Sequence, residues 1–399
     1  CLVGSEMCIR DRVNVGIDLG FFHERVNLVV DWYKKVSKDM LMSLQLPSYM
    51  GTSGNISSAL AAPMGNYGDI ENKGWEISLN TRPLIGTFEW DSDFQISFNR
   101  NKLRALDGTA NAQIVGYGQW SDVVSVTNVG ESLYNFYGYV CDGVYEDLED
   151  LQTSAKPAKY PANGVFNRTN TVWVGDIKYK DLNGDGVIDE NDRTNIGSPL
   201  PKFTFGWTNT FRYKNFDLSL FINGSYGNKV FNYLGMKLTH MNSPWSNQLN
   251  TVLDRAQIVP IDPNKDYSAG VVVNGVTIHN WYDDITNVRV ANAGTTIPRA
   301  SIQDPNDNDR ISDRYIEDGS YIRLKNITLG YTFPGKIIKK WGLDNLRVYA
   351  NIQNLLTITG YDGYDPEIGA STASANIYGL DNGRYPSPTV YSFGLNVSF

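Results

Sequence analysis

From Val13 onward the chain reads as stretches of alternating apolar and polar residues, and the links between those stretches are short and long in strict turn. Alternation with period two marks β-strands. Val13, Val15, Ile17, Leu19 and Phe21 share one face, followed by Val26, Leu28, Val30 and Trp32, and then by Trp75, Ile77 and Leu79. Further stripes are Phe88, Trp90, Phe94, Ile96 and Phe98, then Phe203, Phe205, Trp207, Phe211 and Tyr213, then Phe216, Leu218, Leu220 and Ile222. The last three are Ile327, Leu329, Tyr331 and Phe333, then Leu346, Val348, Ala350 and Ile352, and finally Tyr391, Phe393, Leu395, Val397 and Phe399. Short links join 13–21 to 25–33, 75–82 to 88–99 and 203–213 to 216–225, and a moderate one with Pro334 and Gly335 joins 321–333 to 346–354. The links 34–74, 100–202, 226–320 and 355–389 are long. A transmembrane barrel imposes this asymmetry, with short periplasmic turns and long outer loops. A soluble sandwich has no reason to, and loops this long are rare in a compact domain unless they serve a function.

The expected fold is therefore all-β, part of a transmembrane antiparallel β-barrel with long extracellular loops. Nine strands are legible, with 134–140 or 172–180 as a candidate tenth. Their apolar face would meet lipid, and the Ser, Thr, Asn, Asp, Glu and Gly face would line a wet lumen. A soluble barrel inverts this, and alternation alone does not separate the two; the loop asymmetry decides. Every short link falls on the side of the C-terminus, which would be the periplasm, with Phe399 as the aromatic at its interface.

Composition narrows the function. Lys and Arg number 35 against 43 Asp and Glu, a net charge of −8. No basic stripe is present to neutralise phosphates, which argues against nucleic acid. No stretch approaches the ~18 apolar residues of a membrane helix, which leaves barrel strands untouched. Aromatic residues make up 12% of the chain, suited to interfacial girdles. Cys1, Cys8 and Cys141 form neither a disulfide framework nor a zinc pattern. Residues 1–12, CLVGSEMCIRDR, show no strand pattern and resemble translated adapter sequence, so the barrel portion is taken as 13–399.

One loop carries metal chemistry. Asp181, Asn183, Asp185, Asp189 and Asp192 stand at positions 1, 3, 5, 9 and 12 of a calcium-loop pattern, with Gly186 at position 6 and the Val187 carbonyl at position 7. Asp at position 12 departs from the usual bidentate Glu. No helices flank the segment, so the expectation is a structural Ca²⁺ clip; the alternative is an Asx-rich turn cluster. His23, His240 and His279 are scattered, and neither a zinc site nor a catalytic triad is indicated. The carboxylate pairs Glu146/Asp147 and Asp307/Asp309 read as solvated loop charges. Asn-x-Ser/Thr triplets at Asn55, Asn167, Asn223, Asn326 and Asn396 read as chance matches, three of them inside strands. Loop aromatics Tyr117, Trp120, Tyr134, Tyr137, Tyr139, Tyr145, Trp245, Trp281 and Tyr282 suit either sugar stacking or loop packing and partner contact.

Five ordered blocks carry a resemblance. They are NYGDIENKGWEISLN (66–80), GDIKYKDLNGDGVIDENDRTNIGSPLPKFTFGWTNTFRYKNFDLSLFINGSYGNKVFN (175–232), YIEDGSYIRLKNITLGYTFP (315–334), LRVYANIQNLLTITGYDGYDPEI (346–368) and the terminal YSFGLNVSF. Together they resemble the SusC/RagA family of TonB-dependent transporters over essentially all of 13–399. The resemblance implies an outer-membrane barrel of about 22 strands with an N-terminal plug. It implies import of oligosaccharides, or sometimes peptides, driven by the inner-membrane TonB complex, with a SusD-like lipoprotein capping the barrel. The expected chain is a transporter and not an enzyme, located in the outer membrane of a Gram-negative bacterium. The plug, the TonB-contacting segment and the first half of the barrel are expected to lie upstream of this fragment, whose sheet would have two open edges. The family's acidic loop is matched at Asp181, Asn183, Asp185, Asp189 and Asp192; no ligand-contacting residue is motif-defined. Alternative readings are a passive porin, an adhesin, or a secreted carbohydrate-binding β-protein with a calcium loop.

Overall fold

The computed structural model describes residues 9–43, 64–106, 112–118, 122–369 and 376–399. Asn55, Trp120 and residues 1–8 lie outside them.

Nine long strands form one antiparallel meander: β1 (Ile9–Phe21), β2 (Val26–Ser43), β3 (Met64–Leu84), β4 (Phe88–Ala105), β5 (Phe203–Tyr213), β6 (Phe216–Tyr226), β7 (Tyr321–Thr332), β8 (Asn345–Thr359) and β9 (Val390–Ser398). All nine expected strands are present and each pairs with its neighbours in sequence. Among the described residues β1 and β9 have one partner each, so the sheet has two open edges. The strands outrun their alternating cores: β2, β3 and β4 reach 18, 21 and 18 residues. The first also begins inside the segment set aside above. Ile9 to Arg12 pair with Lys38 to Lys35, and Lys38 Nζ meets Asp11 Oδ2 at 2.7 Å. Backbone ladder bonds continue a strand whether or not its side chains alternate.

Register carries the apolar face across the whole sheet. One row runs Leu19, Leu28, Leu79, Phe94, Trp207, Ile222 and Leu324, and another joins Leu218, Leu329, Ala350 and Phe393. This face is not covered. Val15 is 58% exposed, Trp75 50% and Phe393 85%. The buried apolar residues lie elsewhere: of the long strands only Val36 and Leu103 contribute, and nearly all the rest are in the outer loops. The sheet is thus inverted relative to a soluble barrel, as a lipid-facing wall requires. Among the described residues no helix is long and apolar enough to cross a membrane, which says nothing of strands.

The loops are folded, not merely long. The described residues of connections 106–202, 227–320 and 360–389 pack together at one end of the sheet, chiefly around two larger cores. One joins Tyr139, Trp173, Ile177 and Tyr179 to Ala256, Ile285 and Val288. The other joins Val124 and Phe136 to Phe231, Met236, Ile311, Ile377 and Leu380. The segments weighed as a tenth strand belong here. Phe136–Gly138 sits in a small four-stranded sheet and Ile177–Tyr179 in a two-stranded one. At three residues each they are too short for the nine or so that a membrane span needs.

Candidate functional site

The acidic loop folds as a chain of side chain-to-backbone bonds. Asp181 Oδ1 accepts from the Gly184 amide at 2.6 Å, and its Oδ2 from the Gly186 amide at 2.7 Å. Asn183 Oδ1 accepts from Asp185, and Asp185 Oδ1 from Val187, both at 2.9 Å. Gly184 and Gly186 take φ of 77° and 82°, where a side chain is strained. Donation from the Gly186 and Gly184 amides, against a smaller opposing burial effect, holds the Asp181 carboxyl below its usual range. Asp181, Asn183 and Asp185 therefore share one turn. Asp189 and Asp192 form a capping box around Glu190–Asp192. Asp192 is fully buried, and its two oxygens accept from the Leu182 and Asp189 amides at 2.8 Å each, so it closes the loop.

A second polar assembly, invisible as a motif, lies where the inner wall meets loop 360–389. Arg323 on β7 is 2% exposed. It donates to Asp365 Oδ1 at 2.5 Å, Glu367 Oε2 at 2.8 Å and Thr357 Oγ1 at 2.9 Å. Lys325 is skipped by the pairing between β7 and β8, and its Nζ reaches Glu367 at 2.8 Å. Such a bulge re-aims a side chain. Burial would raise the Asp365 carboxyl. Amide donation from Ser387 and Glu367 and the Arg323 guanidinium outweigh it and hold the group at about 2. A polar cavity of about 440 Å³ opens beside this network, lined by Thr204, Tyr321, Lys325, Asp365, Glu367 and Arg384, among others. Its sequence signal was the placement of Arg323 on the polar face of a strand.

Several of the other candidates take structural roles. Asp147 caps the helix Leu148–Thr153, accepting from Asp150 N at 2.9 Å, and Glu146 precedes it. His240 lies between Asp304, 3.3 Å from Nε2, and Asp309, 3.1 Å from Nδ1. His23 stands in the turn after β1 and His279 ends a small hairpin. Of the loop aromatics, Tyr139 and Tyr145 are buried, Tyr134 packs on Tyr378, and Trp281 on Tyr282. Tyr117, Tyr282 and above all Trp245, 94% exposed, remain open, as do Tyr364 and Tyr385 on the last loop.

No protein-family model matches the chain. Individual relatives do. The TonB-dependent receptor P3 of Formosa agariphila is 32% identical over 97% of this chain and 34% of its own length. The TonB-dependent receptor SusC of Bacteroides thetaiotaomicron is 26% identical over 97% of this chain and 31% of its own. The chain thus spans about a third of the length of the curated relatives it matches. Among solved structures, that of the RagAB peptide transporter matches with a TM-score of 0.69 at 18% identity, covering 98% of this chain and 35% of that one. Its closed-closed state matches with a TM-score of 0.66 at 19% identity, with the same coverage. These likenesses carry the sheet's assignment to the outer membrane of a Gram-negative bacterium. With its exposed apolar face, one-sided loops and near-complete alignment, the chain is a relative of the TonB-dependent receptors, SusC among them, and shares the fold of the RagAB transporter.

Proposed function

We propose that this chain supplies barrel wall and outer loops to a TonB-driven importer of oligosaccharides that works with a SusD-like surface lipoprotein. The observation that carries the reading is the inverted sheet joined to a packed outer body, in a chain whose relatives are named TonB-dependent receptors. Those names favour driven uptake over the porin, adhesin and secreted-protein readings, and none of the relatives above is named for a catalysed reaction. The exposed Trp245, Tyr364 and Tyr385 beside polar loop groups suit sugar stacking and hydrogen bonding. A peptide is the second reading, because the similar solved structure is of a peptide transporter. Deleting the gene in its host tests both. Loss of growth on defined oligosaccharides with peptide use intact supports the first reading. The converse supports the second, and no loss on either contradicts uptake.

We further propose that the acidic loop holds a structural Ca²⁺ through Asp181, Asn183, Asp185, the Val187 carbonyl and Asp189, with Asp192 fixing the loop ends. The amide bonds leave each of these oxygens a second lone pair, and the loop's exposure leaves it open to an ion. Ca²⁺ should raise the thermal midpoint of the outer body and sensitise terbium luminescence in wild type but not in Asp185→Ala. Chelator-insensitive melting without terbium binding would reject the site.

A further inference from the structure

On the outward face of β6 to β9, at the short-turn end, an apolar groove of about 530 Å³ is lined by Phe216, Leu329, Tyr331, Val348, Ala350 and Phe393, among others. Ala350 makes the notch. Its cross-strand partners are Leu329 and Phe393, so a methyl group stands between two large side chains. Phe216 and Tyr331 pack at 4.7 Å, and Tyr331 meets Phe333 edge-on at 5.0 Å, forming an aromatic border toward the turn.

The turn joining β7 and β8 lies directly beyond this groove. It holds a short helix, Gly335–Ile338, and a 3-10 turn, Lys339–Trp341, ended by Gly342 at φ 70°. Ile338 is buried and anchors it, while Ile337 and Trp341 are exposed. Lys336, Lys339 and Lys340 are exposed and have no carboxylate partner among the described residues; Asp344 is the turn's one acidic residue. Lys214, in the neighbouring turn between β5 and β6, adds a fourth cation beside Phe216. In a chain of net charge −8 this is a local reversal of sign.

We propose that the groove and this turn form a binding site for an anionic phospholipid of the leaflet at the short-turn side. One acyl chain would lie over Ala350, the phosphate against Lys336, Lys339 and Lys340, and the Trp341 indole at the headgroup level. An apolar channel that ends in unpaired lysines matches a lipid carrying negative charge and not a zwitterion, because juxtamembrane lysines gain attraction only from net negative headgroups. Interfacial Trp and Lys anchors obey the same physics. The inference rests on the membrane-facing assignment of the apolar face.

The test uses the full-length protein, delipidated in detergent and titrated in native mass spectrometry with phosphatidylglycerol or phosphatidylethanolamine. Phosphatidylglycerol should bind about tenfold tighter or more. The triple variant Lys336→Gln, Lys339→Gln, Lys340→Gln should bring the two lipids within about twofold. Ala350→Phe should weaken both by filling the notch. Equal binding of the two lipids by wild type, or an unchanged preference in the triple variant, overturns the site. Failure of wild type to insert into phosphatidylethanolamine vesicles would instead overturn the membrane-facing assignment on which it rests.

Discussion

Polar atoms on the lipid side show how closely single residues are fitted to an apolar solvent. Asn209 interrupts the stripe of Trp207 and Phe211, yet it is 5% exposed and accepts the Trp90 Nε1–H at 3.0 Å; Ser92 accepts that of Trp207 at 2.9 Å. An indole N–H facing hydrocarbon has no water to turn to. Asn209→Leu should therefore cost about 1–3 kcal/mol in urea unfolding from vesicles, while adding Trp90→Phe should recover most of it. A double variant as unstable as the single one would show that Asn209 acts through something else. Gly330 is the inner-face counterpart. Arg347 on β8 reaches across β7 to Asp217 on β6 at 2.5 and 3.1 Å, and a Cβ at Gly330 would meet both partners. Gly330→Val should lower stability by roughly 1–3 kcal/mol in the same assay. Asp365, held at about 2, gives a pH dependence. Its folded-state value lies below its ordinary one, so its contribution, of order 2 kcal/mol, is full above about pH 4 and lost as pH falls toward 2. Protection factors at 365–369, exchange rates corrected for their intrinsic pH dependence, should fall over that window in wild type and stay flat in Asp365→Asn.

The strands are the elements that the sequence exposed most fully. Alternation located all nine, because each meets apolar surroundings on one face and polar ones on the other, and no packed layer blurs the pattern. Strand ends were less legible: β2 to β4 run past the alternating region, where backbone pairing continues without an apolar partner. Loop elements were barely legible. Phe136 and Phe231 are buried against each other in a body built from segments far apart in the chain, so no local period marks them. The same mixing is why Tyr139 and Tyr145, open in the sequence to sugar stacking or to loop packing, are resolved as core only by the fold. The calcium-loop pattern located a real turn but did not foretell that Asp192 would face the backbone. Arg323 was missed because it stands on a strand and its partners, Asp365 and Glu367, come from a loop, 42 and 44 residues further on. At this scale the faces are testable in pairs. Leu79→Arg, on the apolar face in mid-sheet, should impair outer-membrane assembly by about 2–4 kcal/mol, and Ser78→Arg, one residue away on the polar face, should not.

The whole molecule divides its hydrophobic residues between two solvents. Those of the outer body bury one another, as in any water-soluble domain, and those of the sheet remain uncovered. The two parts should therefore fail separately. Trp173→Ala, at a 1% exposed position, should remove about 3–5 kcal/mol from the outer body. Limited proteolysis should then cut within 106–202 while the sheet keeps its heat-modifiable mobility on gels. This division rests on contact between lipid and the apolar face of the sheet. Its most direct test is a single-cysteine scan of Phe94 to Phe98 in the full-length protein with every native cysteine, Cys1, Cys8 and Cys141 included, replaced by serine, spin-labelled in vesicles and probed with oxygen and with a water-soluble nickel chelate. Labels at 94, 96 and 98 should be relaxed by oxygen and shielded from nickel, and those at 95 and 97 should show the reverse. Nickel access at 94, 96 and 98 equal to that at 95 and 97 would mean that water bathes both faces, and the membrane wall would be refuted.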